Sequence, residues 1–147
     1  MHFEGQEKIK APMQEIWAFY MDPEKVASCA PGYQSMELLS QTHFKPRVGV
    51  GIGAVKATFT LDVELTDLRE PDHAVVKGHG VAAGSAVDLS GTMNLTADSP
   101  SETTMDWVAD VIVSGAIAAV GARLMEGTAK KLTAKFFECV RQKVEGP

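Results

Sequence analysis

Residues 103–115, TTMDWVADVIVSG, run into residues 116–144, AIAAVGARLMEGTAKKLTAKFFECVRQKV, and the change of period between the two decides the fold. In the first piece Met105, Trp107, Ala109, Val111 and Val113 point one way, and Asp106 and Asp110 the other. That alternation predicts a strand with one dry face and one wet face. Ser114-Gly115 ends it. Beyond, Ile117, Val120, Leu124, Leu132, Phe136 and Val140 recur mainly at three- and four-residue steps, with a gap around Thr128. Arg123, Glu126, Lys130, Glu138 and Arg141 mostly take the other directions, so the spacing predicts an amphipathic helix over 116–143. Such a helix would be roughly 42 Å long. It needs a long apolar surface to lie on.

Working outward, Tyr33 to Val113 is almost all strand and turn. Runs at Tyr33–Gln41, Phe44–Gly53, Ala57–Arg69, His73–Ala83 and Ala86–Ala97 precede the Trp107 strand, with turns at Glu70-Pro71-Asp72 and Asp98-Ser99-Pro100-Ser101. The cleanest alternation sets Phe59, Leu61, Val63 and Leu65 against Thr60, Asp62, Glu64 and Thr66. Val87, Leu89, Met93 and Leu95 form the dry side of a later run. Short connections between strands mean an antiparallel meander. Upstream, Phe3, Gly5, Glu7 and Ile9 share a face of a first strand. Ala11-Pro12 opens a helix with Pro at its first position and Met13, Ile16, Trp17 and Tyr20 on its apolar side. Asp22-Pro23-Glu24 starts a second, with Val26 and Cys29 inward, and Pro31-Gly32 stops it.

These elements predict an α+β helix-grip architecture in one domain, residues 1–147: about seven antiparallel strands wrapped round a long C-terminal helix, with two short helices after the first strand. A curved sheet cannot touch a straight helix everywhere, so a cavity is expected between them. Ala116, Ala118, Ala119, Gly121 and Ala122 place that space near the start of the helix. The alternative is that large neighbours fill it. The expected lining is Phe59, Leu61, Val63, Leu89, Met93, Trp107, Val120, Leu124, Leu132 and Phe136.

A net charge of -5 and the lack of a basic stripe argue against nucleic acid. Cys29 and Cys139 have no CxxC spacing and are read as free, partly buried thiols in a reducing compartment. No apolar run reaches the roughly 20 residues needed to span a bilayer. MHFEGQEKIK lacks the pattern of an export signal, so the expected location is cytoplasmic.

Catalytic patterns are weak. On the well-phased strands Asp62, Glu64, Asp88, Asp106 and Asp110 sit opposite the apolar residues, leaving no inward pair of carboxylates. Glu7 is the exception by position. His2, His43, His73 and His79 have no metal-ligand spacing, and only His79, inside an apolar strand, is placed to put a hydrogen bond at the cavity mouth. Gly78-His79-Gly80-Val81-Ala82-Ala83 fits a dinucleotide fingerprint formally, but a strand follows it where the fingerprint needs a helix. Gly49, Gly51 and Gly53 strip one strand face for close approach by a turn or partner. Ser90 and Ser114 have no nucleophile elbow.

The order of elements resembles the START-like, helix-grip (SRPBCC) superfamily. Within it, CAPG at 29–32, GAVKATF at 53–59 and WVADVIVSGAIAAVGARLMEGTAKKLTAKFF at 107–137 resemble the CoxG family of carbon monoxide dehydrogenase subunits, nearly end to end. The resemblance implies an apolar or amphipathic ligand between sheet and helix; the residues themselves give no catalytic site, no metal site and no intrinsic cofactor. It also implies a bound quinone or lipid, and service to a molybdenum hydroxylase linked to the membrane or its quinone pool, with peripheral membrane contact. Longer members carry a C-terminal tail that could reach the membrane, where this sequence stops at Pro147. Burying about 400 Å² of such a ligand would contribute up to roughly 10 kcal/mol before association costs.

Two other readings stand beside the carrier. A docking or membrane-recruitment subunit would use the acidic outer face (Asp62, Glu64, Asp106, Asp110) or the Gly49–Gly53 edge. A cyclase- or hydrolase-like enzyme would need inward ionisable groups.

Overall fold

A computed structural model describes residues 1–146. Seven strands form one antiparallel sheet in the order β1-β7-β6-β5-β4-β3-β2, where β1 is His2–Ile9, β2 Tyr33–Ser40, β3 His43–Ile52, β4 Val55–Arg69, β5 His73–Ala82, β6 Ser85–Ser99 and β7 Glu102–Gly115. Each strand after β2 pairs with its predecessor, and β7 closes back on β1. Two short helices, α1 (Met13–Tyr20) and α2 (Pro23–Ser28), follow β1, and the long helix α3 spans Ala122–Glu145. The helix-grip expectation holds.

The face assignments hold as well. Along β7 the side chains of Met105, Trp107, Ala109, Val111 and Val113 are buried or half-buried, while Val108, Asp110 and Ile112 are exposed. β1 puts Phe3, Gly5, Glu7 and Ile9 on its covered side. In β5 the sequence is poorly phased because glycines occupy the covered positions. Gly78 lies opposite Val63 and Leu89, and Gly80 opposite Leu61 and Val87. A β-carbon on Gly80 would come within 2.3 Å of Leu61 Cδ2, so neighbouring side chains already fill its place.

At the other helices two details differ from the sequence reading. Pro12 is the N-cap of α1, one residue before the first helical position, whereas Asp22 caps α2 and accepts from Lys25 N–H as expected. The C-terminal helix begins later. Residues Ala116–Val120 form a 3₁₀ turn, and α3 starts only after Gly121, whose φ is 99°. The 24 residues of α3 give about 36 Å rather than 42 Å. Alanine-rich text reads as helix by propensity, but Gly115 (φ 86°) and Gly121 both adopt the left-handed region that favours glycine, so the chain turns twice before settling.

The buried residues form three clusters, the smallest around Phe19, Cys29 and Val140. One cluster joins β1, α1, β5, β6, β7 and α3 through Ile9, Ile16, Trp17, Leu95, Met105 and Phe137. A second, under the 3₁₀ turn, joins Val48, Ile52, Phe59 and Ile117, with Val120 packed against it. Large side chains therefore fill the space near the start of the helix, where small residues had placed the cavity. Thr103, fully buried, donates its hydroxyl to Ala11 O at 2.8 Å, which locks the start of β7 to the β1–α1 turn.

The two cysteines are bonded. Cys29, the C-cap of α2, and Cys139 of α3 form a disulfide across 110 residues, with Cα atoms 5.4 Å apart. This corrects the expectation of free thiols. The bond connects segments that the sequence separates and only the folded chain brings together.

Candidate functional site

Among these clusters lies an apolar cavity of about 430 Å³. Sheet strands β4, β5, β6 and β7 make its floor, the middle of α3 its roof, and α1 and α2 one wall. Seven of the ten expected residues line it: Leu61, Val63, Leu89, Met93, Trp107, Leu132 and Phe136. Three do not. Phe59 and Val120 belong to the filled cluster under the 3₁₀ turn. Leu124 is 43% exposed and lies over Gly53, its Cδ2 3.1 Å from where a β-carbon would stand. The cavity was expected near the start of the helix, but there the 3₁₀ turn packs Ile117 and Val120 onto Phe59, and Leu124, in the first turn of α3, lies beyond that filled cluster.

The sequence reading missed the wall. Tyr20, Met21, Val26, Ala27, Ala30 and Pro31 line the cavity from α1, α2 and the turn beyond. Their apolar period was visible, but which side of two short helices would face the space depends on how they pack. Phe137, not among the residues expected to line the cavity, is more buried than Phe136, and its ring centroid lies 5.4 Å from that of Trp107.

No Asp, Glu, His, Lys or Arg side chain lines the cavity among the described residues. Its few polar groups are turned away or sealed. Thr133 donates its hydroxyl to Ala129 O at 2.8 Å, leaving its methyl group for the cavity. The Tyr20 hydroxyl and Trp107 Nε1 are buried without hydrogen-bond partners, so the lumen meets ring carbons. Burial raises the Tyr20 phenol well above its ordinary pKa, with the Glu7 carboxylate adding to the effect and Arg141 opposing it.

Glu7 does point inward, but it is tied to Arg141 of α3 at 2.5 Å, and Arg141 Nε also donates to Lys8 O. The pair clamps β1 to the far end of α3. Arg141→Met is expected to lower stability by about 1–2 kcal/mol, because it strands a mostly buried carboxylate. Glu7→Gln in the Arg141→Met background should recover part of that loss in urea unfolding. Equal losses in the single and double variants would show that Glu7 carries no penalty.

The predicted acids do lie on the opposite, outer face, yet it is not a plain acidic patch. His79 meets Asp88 at 2.6 Å, His2 meets Asp110 at 2.7 Å and His43 meets Asp62 at 2.6 Å. Bonds to Asp110 and Glu4 raise the pKa of His2. His79 thus belongs to the outer face and not to the cavity mouth. Residues His43, Asp62 and Glu64 gather within 4.8 Å across β3 and β4, a grouping that cross-strand register produces and sequence spacing hides. Lys45 Nζ already stands 3.9 Å from Asp62, so the cluster carries its own cation. The Gly49 strand is approached by its own chain. Gly49 N–H donates to Gly32 O at 2.8 Å, and a β-carbon on Gly32 would strike Gly49 O.

An antiparallel sheet gripping a C-terminal helix over an apolar cavity is the START-like helix-grip fold. The chain's fold matches a START superfamily protein from Mycobacterium smegmatis (TM-score 0.75, 13% identity, covering 98% of this chain and 97% of that one). The model of the CoxG family, a family of carbon monoxide dehydrogenase subunits, matches residues 5–145, and the chain belongs to that family. A conserved protein from Geobacillus kaustophilus is similar throughout, at 28% identity and TM-score 0.91, covering 99% of this chain and 95% of that one. The Zhui aromatase/cyclase from Streptomyces sp. R1128 shares the fold at 17% identity and TM-score 0.72, covering 99% and 93%. The search of curated proteins finds no match. No helix among the described residues is long and apolar enough to cross a membrane.

Proposed function

We propose that this protein is a non-catalytic carrier of a lipophilic ligand, a quinone or a lipid, serving a carbon monoxide dehydrogenase-type molybdenum hydroxylase. The observation that carries the reading is the cavity itself: about 430 Å³, walled by Leu, Val, Met and aromatic carbon, with no charged side chain lining it. That volume lies in the range of small-molecule sites, and such walls favour apolar bodies over polar ones. Membership of the CoxG family supports the link to the hydroxylase. An aromatase/cyclase shares the fold, but cyclisation requires groups that move protons, and the walls here present none beyond a buried tyrosine hydroxyl.

Trp107 lines the cavity and Trp17 lies in the core behind it, so the two indoles provide a test. Titration with a short-chain naphthoquinone should quench fluorescence with a micromolar midpoint. Trp17→Phe should keep most of the quenching and Trp107→Phe should lose it. Organic extraction of protein expressed in a quinone-producing host should also release a lipophilic molecule. An empty extract together with unquenched Trp107 would end the carrier reading.

A further inference from the structure

We propose that the Cys29–Cys139 disulfide is a redox-set clamp on the cavity wall, and that its reduction speeds the exchange of a lipophilic ligand. The proposal rests on the cavity being the ligand site, and adds a control that neither the fold nor the family membership supplies. Its ground is where the two cysteines stand. Cys29 caps α2, and Val26, Ala27, Ala30 and Pro31 on either side of it all line the cavity. Cys139 lies three residues beyond Phe136, which lines the cavity from α3. The bond therefore fastens wall to roof.

The sulfur atoms also sit among the side chains that shape the space. Phe19, Cys29 and Val140 form a buried cluster against which Tyr20, Phe136 and Cys139 pack. Tyr20 and Phe136, 6.4 Å apart between ring centroids, thus touch the disulfide cluster on one side and the cavity on the other. Movement of α2 away from α3 would part those rings.

The other anchors of α2 are noncovalent: Pro23 and Ala27 are buried, and Val26 packs against the Phe19, Cys29 and Val140 cluster. The helix has six residues, held at one end by the Asp22 cap and by Asp22 N–H donating to Phe19 O, and at the other by the Gly32–Gly49 contact. Gly32, at φ 80°, fits against Gly49 because it has no side chain, so this end of the segment is held by backbone contact alone. With the bond formed, α2 cannot leave α3. With it broken, the segment 22–32 keeps only noncovalent contacts, of the kind that open locally at low cost.

The chemistry is a dithiol exchange. Cys139 is half-buried and Cys29 almost wholly buried, so the thiolate of a dithiol donor attacks the Cys139 sulfur and Cys29 leaves as thiolate. The donor's second thiol then displaces Cys139. Two electrons and two protons pass to Cys29 and Cys139, and the donor is oxidised to its own disulfide.

The test uses the neutral fluorophore N-phenyl-1-naphthylamine as the lipophilic probe. Protein loaded with it is mixed with excess phosphatidylcholine vesicles, with and without dithiothreitol, well below the unfolding temperature of the reduced form. Release from the reduced protein should be about tenfold faster, equivalent to about 1.4 kcal/mol off the opening barrier. A Cys29→Ala/Cys139→Ala variant should release fast in both conditions. Amide exchange at Val26 and Ala27 should rise on reduction in the wild type, a measurement that needs neither the variant nor the probe. Equal release rates with a bound probe would overturn the clamp. If no probe binds in either state, the carrier reading fails, and unchanged α2 exchange would then overturn the clamp separately.

Discussion

Reducing the Cys29–Cys139 bond, or replacing Cys139 by Ser, is expected to lower the unfolding free energy by about 3 kcal/mol. The effect lies mainly in the unfolded chain. The bond closes a loop of 110 residues, and in the chain-entropy model a loop of about 100 residues is worth about 4.7 kcal/mol. Residual structure in the denatured state reduces that, and measured values gather at about 2–4 kcal/mol. A serine hydroxyl beside buried Val140 and Phe19 adds a polar group to an apolar cluster. For a chain of this length the loss corresponds to a fall in Tm of about 10 °C. Calorimetry with and without reductant measures it. The Cys29→Ala/Cys139→Ala variant should not respond to reductant at all. A wild-type Tm indifferent to reductant, with two titratable thiols in the native protein, would show that the bond does not form.

That bond also marks where reading a sequence stops. Periodicity gave the seven strands and their faces because a half-buried strand has to alternate, and Phe59 to Leu65 or Met105 to Val113 leave no choice of side. It could not pair two cysteines, since pairing depends on α2 and α3 meeting in space. β5 was hard to phase for a different reason. Its inward positions are Gly78 and Gly80, where large side chains of β4 and β6 take up the room, so the signal was the outward Lys77 and His79. The helix start failed for a third. Ala116–Val120 has helical composition, but Gly115 and Gly121 hold backbone angles that composition does not reveal. Most of the cavity's floor was therefore legible. Its position along the helix was not, and with it went Phe59, Val120 and Leu124.

The same shift sets up the sharpest test of the site. Ala109→Trp on β7 and Leu132→Trp on α3 each add bulk at a residue that lines the cavity, from the floor and from the roof. Each should weaken N-phenyl-1-naphthylamine binding about a hundredfold, or about 2.8 kcal/mol, because the indole occupies volume the probe needs. Stability should change by about 1–3 kcal/mol at most, since the new ring enters empty space before it strains its neighbours. Leu124→Trp is the control. Leu124 has the apolar spacing of a lining residue, yet it lies over Gly53 and is 43% exposed. Binding to that variant should stay within about twofold of wild type, a difference of about 0.4 kcal/mol. If Leu124→Trp abolishes binding and Leu132→Trp spares it, the ligand sits at the start of the helix, as the unbroken periodicity predicts, and the filled cluster under the 3₁₀ turn is the part that gives way.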